Sequence, residues 1–383
     1  MTKPNTTYHP LGDYIRKIDK RNRDLALSKP MGINIDKQFM PSVANVIGTD
    51  MSNYKLVSKN QFACNLMHVG RDGKIPVAIN KEDEMILVSP AYHVFEIVDK
   101  NVLSPDFLMM WFHREEFDRE ASFYTDADVR SGMDFKALME MHIPVPPITE
   151  QRAVVAEYEA VARRIAVAKR TIATLQATAQ TLYRKMFVDG IDKENLPEGW
   201  KWGTLGNYCK KMTSGGTPNR NCSDYWNSND HPWLKSGEVQ NNVINNIEEY
   251  ISSQGLENSS AKLIPAGTVI MAMYGATAAQ VGYLTCEATT NQACCNMICK
   301  SKLEAAFLFF HLLVKQEDIK RLANGGAQEN LSQELIANQP ILLFDDNNCK
   351  QPFATILDNL VVCYKEIEKL TEIQTIILSG MGR

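Results

Sequence analysis

Apolar residues recur at alternating spacings of four and three through Val154, Tyr158, Val161, Ile165, Ala168, Ile172, Leu175, Ala179, Leu182 and Met186. That rhythm leaves a narrow stripe along one side of a helix, the mark of a coiled-coil seam. No glycine or proline interrupts the chain between Pro147 and Gly190, and Thr149 stands where an N-cap would. A second stripe runs through Ile356, Leu360, Cys363, Ile367, Leu370, Gln374 and Ile377. Asp345-Asp346-Asn347-Asn348 offers it capping side chains, and Pro352 falls near the first turn, where a missing N–H costs little. Two such stripes predict two long helices that bury against each other, antiparallel because a whole domain lies between them. The competing expectation is that each stripe packs only on its own domain.

Outside the stripes the pattern is mixed. Met85-Ile86-Leu87-Val88 and Thr268-Val269-Ile270-Met271 read as buried strands, whereas residues 105–120 and 303–322 carry helical periodicity. The chain also repeats itself. Leu11-Gly12-Asp13-Tyr14-Ile15-Arg16-Lys17 returns as Leu205-Gly206-Asn207-Tyr208-Cys209-Lys210-Lys211. Lys55-Leu56-Val57 pairs with Lys262-Leu263-Ile264, Phe107-Leu108 with Phe307-Leu308, and Leu138 with Leu335. An offset near two hundred residues is too long for a solenoid unit and marks a duplicated domain. The expected fold is α+β: duplicated domains at 1–148 and 190–345, with helical spacers at 149–189 and 346–383.

Composition narrows the class. The 383 residues suffice for two or three domains, each with its own core. No apolar stretch opens the chain and none reaches the length of a membrane span, so a cytoplasmic location is expected. Of the nine cysteines only Cys294, Cys295 and Cys299 cluster, without a C-x-x-C pair, so reduced buried thiols are expected rather than a metal site. The net charge of −4 speaks mildly against nucleic acid, but phosphate contact needs only a basic face. Between Tyr14 and Lys37, the cations Arg16, Lys17, Lys20, Arg21, Arg23, Lys29 and Lys37 meet only Asp19, Asp24 and Asp36. Lys210, Lys211 and Arg220 occupy the corresponding stretch of the second copy with no acid among them. A solvated face is the plain alternative for either run; their recurrence favours function.

Several chemistries lack their motifs. There is no G-x-x-x-x-G-K-[ST] phosphate loop, no G-x-G-x-x-G before a helix, and no Asn-Pro-Pro-aromatic arrangement of amino-methyltransferases. Pro105-Asp106 with Glu115-Glu116 lacks the lysine a metal nuclease needs and reads as a capped helix. His68, His93, His113, His142, His231 and His311 are dispersed, and no catalytic role is assigned to them. Ser214-Gly215-Gly216-Thr217-Pro218 fits either a surface turn or a phosphate contact, because paired glycines let backbone N–H groups approach closely. With Lys210, Lys211 and Arg220 adjacent, the phosphate contact is preferred. Lys235 and Ser236 are further candidates, as are Tyr274, Thr277 and the pair Asn291-Gln292, whose amides can bind adenine edges. In the first copy, Arg71 and Lys74 of Gly70-Arg71-Asp72-Gly73-Lys74 hold a comparable place.

Leu196-Pro197-Glu198-Gly199-Trp200 through Leu205-Gly206 resembles the domain-opening segment of specificity subunits of type I restriction–modification systems. Ser214 to Pro218, Tyr225-Trp226, His231 to Glu238, Asn330-Leu331-Ser332 and Pro144-Val145-Pro146-Pro147 leading to Glu150-Gln151 match the same family. The first copy departs from it, with Lys20-Arg21-Asn22-Arg23 where the Gly-Gly-Thr-Pro turn should be, and Leu343-Phe344-Asp345-Asp346 replaces the proline-rich exit of the second. The resemblance implies a non-catalytic host-defence subunit that reads a bipartite, asymmetric site in double-stranded DNA, one half per target-recognition domain. It implies docking of two modification (methyltransferase) subunits and of restriction (translocase and nuclease) subunits. Cofactors would belong to those partners, namely S-adenosylmethionine, ATP and Mg²⁺, with none in this chain. The helical run from 154 to 186 spans roughly 48 Å at 1.5 Å per residue, enough to reach DNA grooves about 34–36 Å apart. Two rival readings remain open: a self-sufficient nuclease or methyltransferase, and an assembly scaffold whose domains bind only protein.

Overall fold

A computed structural model describes residues 7–44, 48–67, 69–125, 132–192, 194–323 and 330–382. The chain divides into two compact units, Met1–Arg164 with Leu370–Arg383, and Ile165–Lys369. The division passes through both long helices, so each unit contains a domain and one stretch of each helix.

In the first unit, Tyr8–Pro10 pairs antiparallel with His142–Pro144. A four-stranded sheet follows in the order Ile15–Ile18, His93–Ile97, Phe62–Cys64, Val77–Ile79, antiparallel throughout. A second sheet sets Phe39–Pro41, Pro30–Ile33, Ile86–Val88 and Lys55–Val57 side by side. Within it Pro30–Ile33 runs parallel to Ile86–Val88. The helical stretch expected over 105–120 is two helices, Pro105–Phe112 and Glu115–Phe123. Arg114 breaks it by taking an extended backbone (ψ 135°) with its guanidinium 4.1 Å from the centroid of Trp111. Phe62, Phe95, Phe112 and Phe117 fill the core at 2% exposure or less.

The second unit repeats this plan. Lys201–Thr204 pairs antiparallel with Pro340–Leu343. Its main sheet runs Lys211–Ser214, Cys294–Ile298, Val269–Ala272, Val281–Leu284, Asn242–Ile244. The last strand is parallel to its neighbour and, among the described residues, has no counterpart in the first unit's sheet. In the small sheet, His231–Leu234 again lies parallel to the strand before the turn, Thr289–Thr290. Lys55-Leu56-Val57 and Lys262-Leu263-Ile264 hold equivalent places, since Val57 pairs with Ile86 and Ile264 bridges Ala288. The Lys302–Lys320 helix starts on Ser301, whose hydroxyl accepts from Glu304 N–H. From Ala305 to Leu313 it is buried on every side, as a helix clamped between a sheet and a helix pair must be. Leu138 and Leu335 both sit on short helices, Phe135–Glu140 and Gln333–Ala337, that precede the domain exit.

The long helices are Ile148–Arg184 and Asn347–Gly380. In the first unit Val154, Val155 and Tyr158 pack with Ile377, Leu378 and Met381. In the second, Ile172, Leu175, Ala179 and Leu182 pack with Phe353, Ile356, Leu357, Leu360, Cys363 and Ile367. The start of one helix therefore meets the end of the other and the reverse, an antiparallel coiled coil. Ala168 and Ala179 are at most 5% exposed, small residues that admit the partner helix closely. Val161 and Ile165 are half-buried along the same line, and Leu370 is buried.

Three end details differ from expectation. The first helix begins at Ile148 on Pro147, whose carbonyl accepts from Glu150 and Gln151 N–H, so Thr149 lies inside the helix and does not cap it. After Arg184 it widens into a π turn, Lys185–Asp189. In the second helix Asp346 caps by accepting from Asn348 N–H, which places Pro352 inside the helix rather than in its first turn.

Candidate nucleic-acid interface

The strand register decides which candidate residues can meet. In the second unit Ser214 lies opposite Cys295, Met271 opposite both Cys295 and Val281. The segments after Ser214, between Thr290 and Cys294, and between Ala272 and Val281 therefore emerge at one end of the main sheet. They carry Gly215, Gly216, Thr217 and Arg220; Asn291 and Gln292; and Tyr274 and Thr277. Hydrogen bonds tie them together. Thr217 Oγ1 donates to Gln292 Oε1, and Met273 N–H donates to Ala293 O (2.8 Å). Thr277 Oγ1 donates to Ser236 O at 3.1 Å, and Asn291 N–H to Leu234 O at 2.9 Å. Asn291 also spends its Oδ1 on Ala293 N–H, so its amide oxygen is held within the turn. Tyr274 bridges Asn330 and stays 42% exposed, its ring open to a ligand. Lys210 and Lys211 are exposed but lie at the other end of the strand, where Lys211 pairs with Ile298.

The two glycines are used differently from the expected display of backbone N–H groups. Both are buried. A Cβ on Gly215 would stand 2.0 Å from Thr290 O, and one on Gly216 would stand 2.2 Å from Ser260 Oγ. Gly216 N–H already donates to Thr290 O, and its carbonyl accepts from Trp233 Nε1 at 2.9 Å. Close packing of the turn on the strand, rather than an open donor, is what requires glycine there.

Beside this turn lies a cluster that sequence reasoning did not assemble. The Arg220 guanidinium sits 3.6 Å from the Trp226 centroid and 4.6 Å from that of Trp233, two rings that meet edge to face. Arg220 forms an ion pair with Glu249 at 2.8 Å, and Lys235 reaches Glu249 at 3.0 Å and Glu248 at 3.6 Å. The hydrogen bond to Glu249 holds the Lys235 ammonium above its ordinary range. Burial pushes the Glu249 carboxyl up, but contacts from Lys235 and Arg220 outweigh it and leave the group below the carboxylate norm. Glu249 follows a polar stretch with no local motif, so only the pairing of His231–Leu234 with Tyr250–Ile251 reveals its neighbours.

In the first unit the same sheet end carries the segments after Ile18 and between Cys64 and Val77. Lys20, Arg21 and Arg23 lie on the first, Arg71 and Lys74 on the second. Arg21 pairs with Asp19 and donates to Asn53 O, Lys20 Nζ contacts Met85 Sδ at 3.5 Å, and Arg71 pairs with Asp72. Arg23 and Lys74 are exposed. Arg16 lies within the strand, paired with Glu96, and Lys17 stands 5.5 Å from the centroid of Phe135. Lys37, counted among the basic face from sequence, is instead buried: it is ion-paired to Asp118 at 2.7 Å and also donates to Phe112 O. Burial lowers its affinity for a proton and Asp118 partly restores it.

Cys294 and Cys295 alternate along one strand into two different cores, so they cannot share a ligand. Among the described residues no cluster of three or more His, Cys, Asp or Glu could hold a metal ion, and no helix is long and apolar enough to cross a membrane. His68 lies outside the described residues. His311 is buried, with Nδ1 2.6 Å from Tyr183 Oη. Burial pulls its pKa down to about 3, which makes it a neutral core residue.

Comparison with known proteins agrees with this architecture. Residues 197–377 match the model of the type I restriction modification DNA specificity domain. The specificity subunit of the Escherichia coli type I restriction enzyme EcoR124I/EcoR124II is 26% identical over 225 residues, covering 56% of this chain and 54% of that protein. The match thus spans about half the length of this curated relative. The crystal structure of a type I restriction-modification S subunit from M. genitalium covers 98% of this chain and 95% of its own, with 13% identity and a TM-score of 0.59, a likeness of fold. The HsdS subunit from Thermoanaerobacter tengcongensis covers 99% and 97%, with 16% identity and a TM-score of 0.38.

Proposed function

We propose that this chain, whose residues 197–377 match the type I restriction modification DNA specificity domain, belongs to that specificity family and is a non-catalytic subunit that reads a bipartite, asymmetric site in duplex DNA. Each domain takes one half of the site, and the paired helices set the spacing and dock two modification subunits. Adenine methylation with S-adenosylmethionine, and ATP- and Mg²⁺-dependent translocation and cleavage in restriction subunits, would take place in those partners. The observation that carries the reading is the duplication itself. Both domains present, at the same sheet end, the turn after their first sheet strand and one hairpin connection, that between Phe62–Cys64 and Val77–Ile79 in the first and between Val269–Ala272 and Val281–Leu284 in the second. Cations there would fix register on phosphates, and Tyr274, Thr277, Asn291 and Gln292 would face base edges.

The test is a domain exchange. Replacing residues 14–148 with the homologous domain of a relative should change one half of the methylated sequence and spare the other; a change in both halves would refute the one-domain, one-half assignment. One helical turn inserted at Ala173, within the long helix, should widen the accepted spacer.

A further inference from the structure

The cations best placed beside the glycine turn are already neutralised from within. Arg220 and Lys235 converge on Glu249, with Glu248 also in reach of Lys235, so two positive charges meet two negative ones. The side chains remain accessible: Arg220 is 50% exposed, Lys235 35% and Glu249 33%. The scaffold around them is stiff. Trp226 Nε1 donates to Asn219 O and Trp233 Nε1 to Gly216 O, which anchors both rings against the turn that bears Arg220. Trp233 N–H donates to Glu249 O at 2.7 Å, which fixes the backbone of the acid itself. A carboxylate that accepts from Lys235 on one oxygen and ion-pairs with Arg220 through the other presents two charged oxygens to the cations, as a phosphate does. Arginine stacked on tryptophan keeps its guanidinium plane oriented when the anion is exchanged.

We infer that Glu249 is an internal stand-in for a DNA phosphate, holding Arg220 and Lys235 in binding geometry while cancelling their charge against ill-fitting DNA. The inference rests on the DNA-reading function proposed above. A phosphate correctly placed by base contacts displaces the carboxylate and takes both cations. One that is merely nearby does not, because it must compete with a covalently tethered anion. Glu249 is thus a positioning residue that sets specificity without touching a base.

The measurement is salt-dependent binding of the full chain to two duplexes, one carrying the site found by methylation mapping and one scrambled. Glu249→Gln should tighten the scrambled duplex several-fold and leave the site duplex little changed. It should also steepen the scrambled-duplex plot of log affinity against log salt by about 0.9 for each cation released. Glu249→Asp should restore wild-type behaviour. A folded Glu249→Gln variant whose scrambled-duplex affinity and slope equal wild type overturns the inference. Should that variant fail to fold, Arg220→Gln and Lys235→Gln carry the test: each should flatten the site-duplex slope by about 0.9, and unchanged slopes overturn it. A wild-type chain that binds both duplexes without salt dependence removes the DNA-reading function and this inference together. A salt-dependent wild type with an indifferent Glu249→Gln removes the inference alone.

Discussion

Each domain builds its own main sheet, and the two fix the functional end of that sheet by unlike means. In the second, the turn after the first strand lies flat on its neighbour because Gly215 and Gly216 leave no room for a side chain. In the first, Asn22 does the corresponding work. It is 1% exposed, its amide donates to Leu27 O and Met51 O, and its oxygen accepts from Leu27 N–H. A further hairpin of the first domain is pinned by the buried Lys37–Asp118 pair, whose Asp118 also accepts from Ile75 N–H. One copy relies on shape, the other on polar bonds. Shape tolerates no added atom, and buried polar bonds tolerate no missing one.

Substitutions can break that contrast, and the largest effect should come from the buried charge. Lys37→Met leaves Asp118 without its cation and should cost about 3–5 kcal/mol, read as an earlier denaturant transition of the first unit. Gly215→Ala drives a methyl into the Thr290 carbonyl and should cost about 3 kcal/mol in the second unit, where the turn must shift. Asn22→Ala removes the hydrogen bonds of a buried side chain and should cost about 2 kcal/mol, with no effect on the second unit. Equal losses in both units from any of these three would show that the turns are not independently fixed.

Acid should weaken the second unit gradually through His311, and the first unit likewise through His113, which burial pulls down to about 4. His311 titrates near 6.5 when unfolded and at about 3 when folded, so between those values the unfolded state binds more protons. Stability contributed by its neutral form is complete above pH 6.5 and falls as the pH drops, by about 1.4 kcal/mol per unit. His311→Gln should flatten that slope in acid melts; an unchanged slope would assign it elsewhere. Smallest of all, Lys211→Ala should alter stability by no more than about 0.5 kcal/mol, since the residue is exposed at the far end of its strand.

How far the sequence foretold this depends on the kind of information each part uses. The helix pair was legible because a seam is a local rhythm, and Val154, Ile172, Leu182, Leu360 and Ile377 each sit where the spacing put them. The duplication was legible because Lys55–Val57 and Lys262–Ile264 keep similar chemistry in equivalent places, a strand in the first copy and a single bridge at Ile264 in the second. The helix break at Arg114 was not, since it depends on a guanidinium settling on Trp111. Nor was the burial of Lys37, because its partner lies 81 residues away. The candidate interface divides the same way. Thr217, Tyr274, Thr277 and Gln292 were nominated by residue type, and the register gathers them at one sheet end. Lys210 and Lys211 were nominated by adjacency in sequence, which strand geometry turns into distance.

The sharing of each long helix between two units has a consequence for how the protein is made. The seam around Val155 and Tyr158 is covered by Ile377, Leu378 and Met381, residues that leave the ribosome only after the entire second unit. Until then the nascent first half carries an uncovered greasy strip, a natural foothold for chaperones.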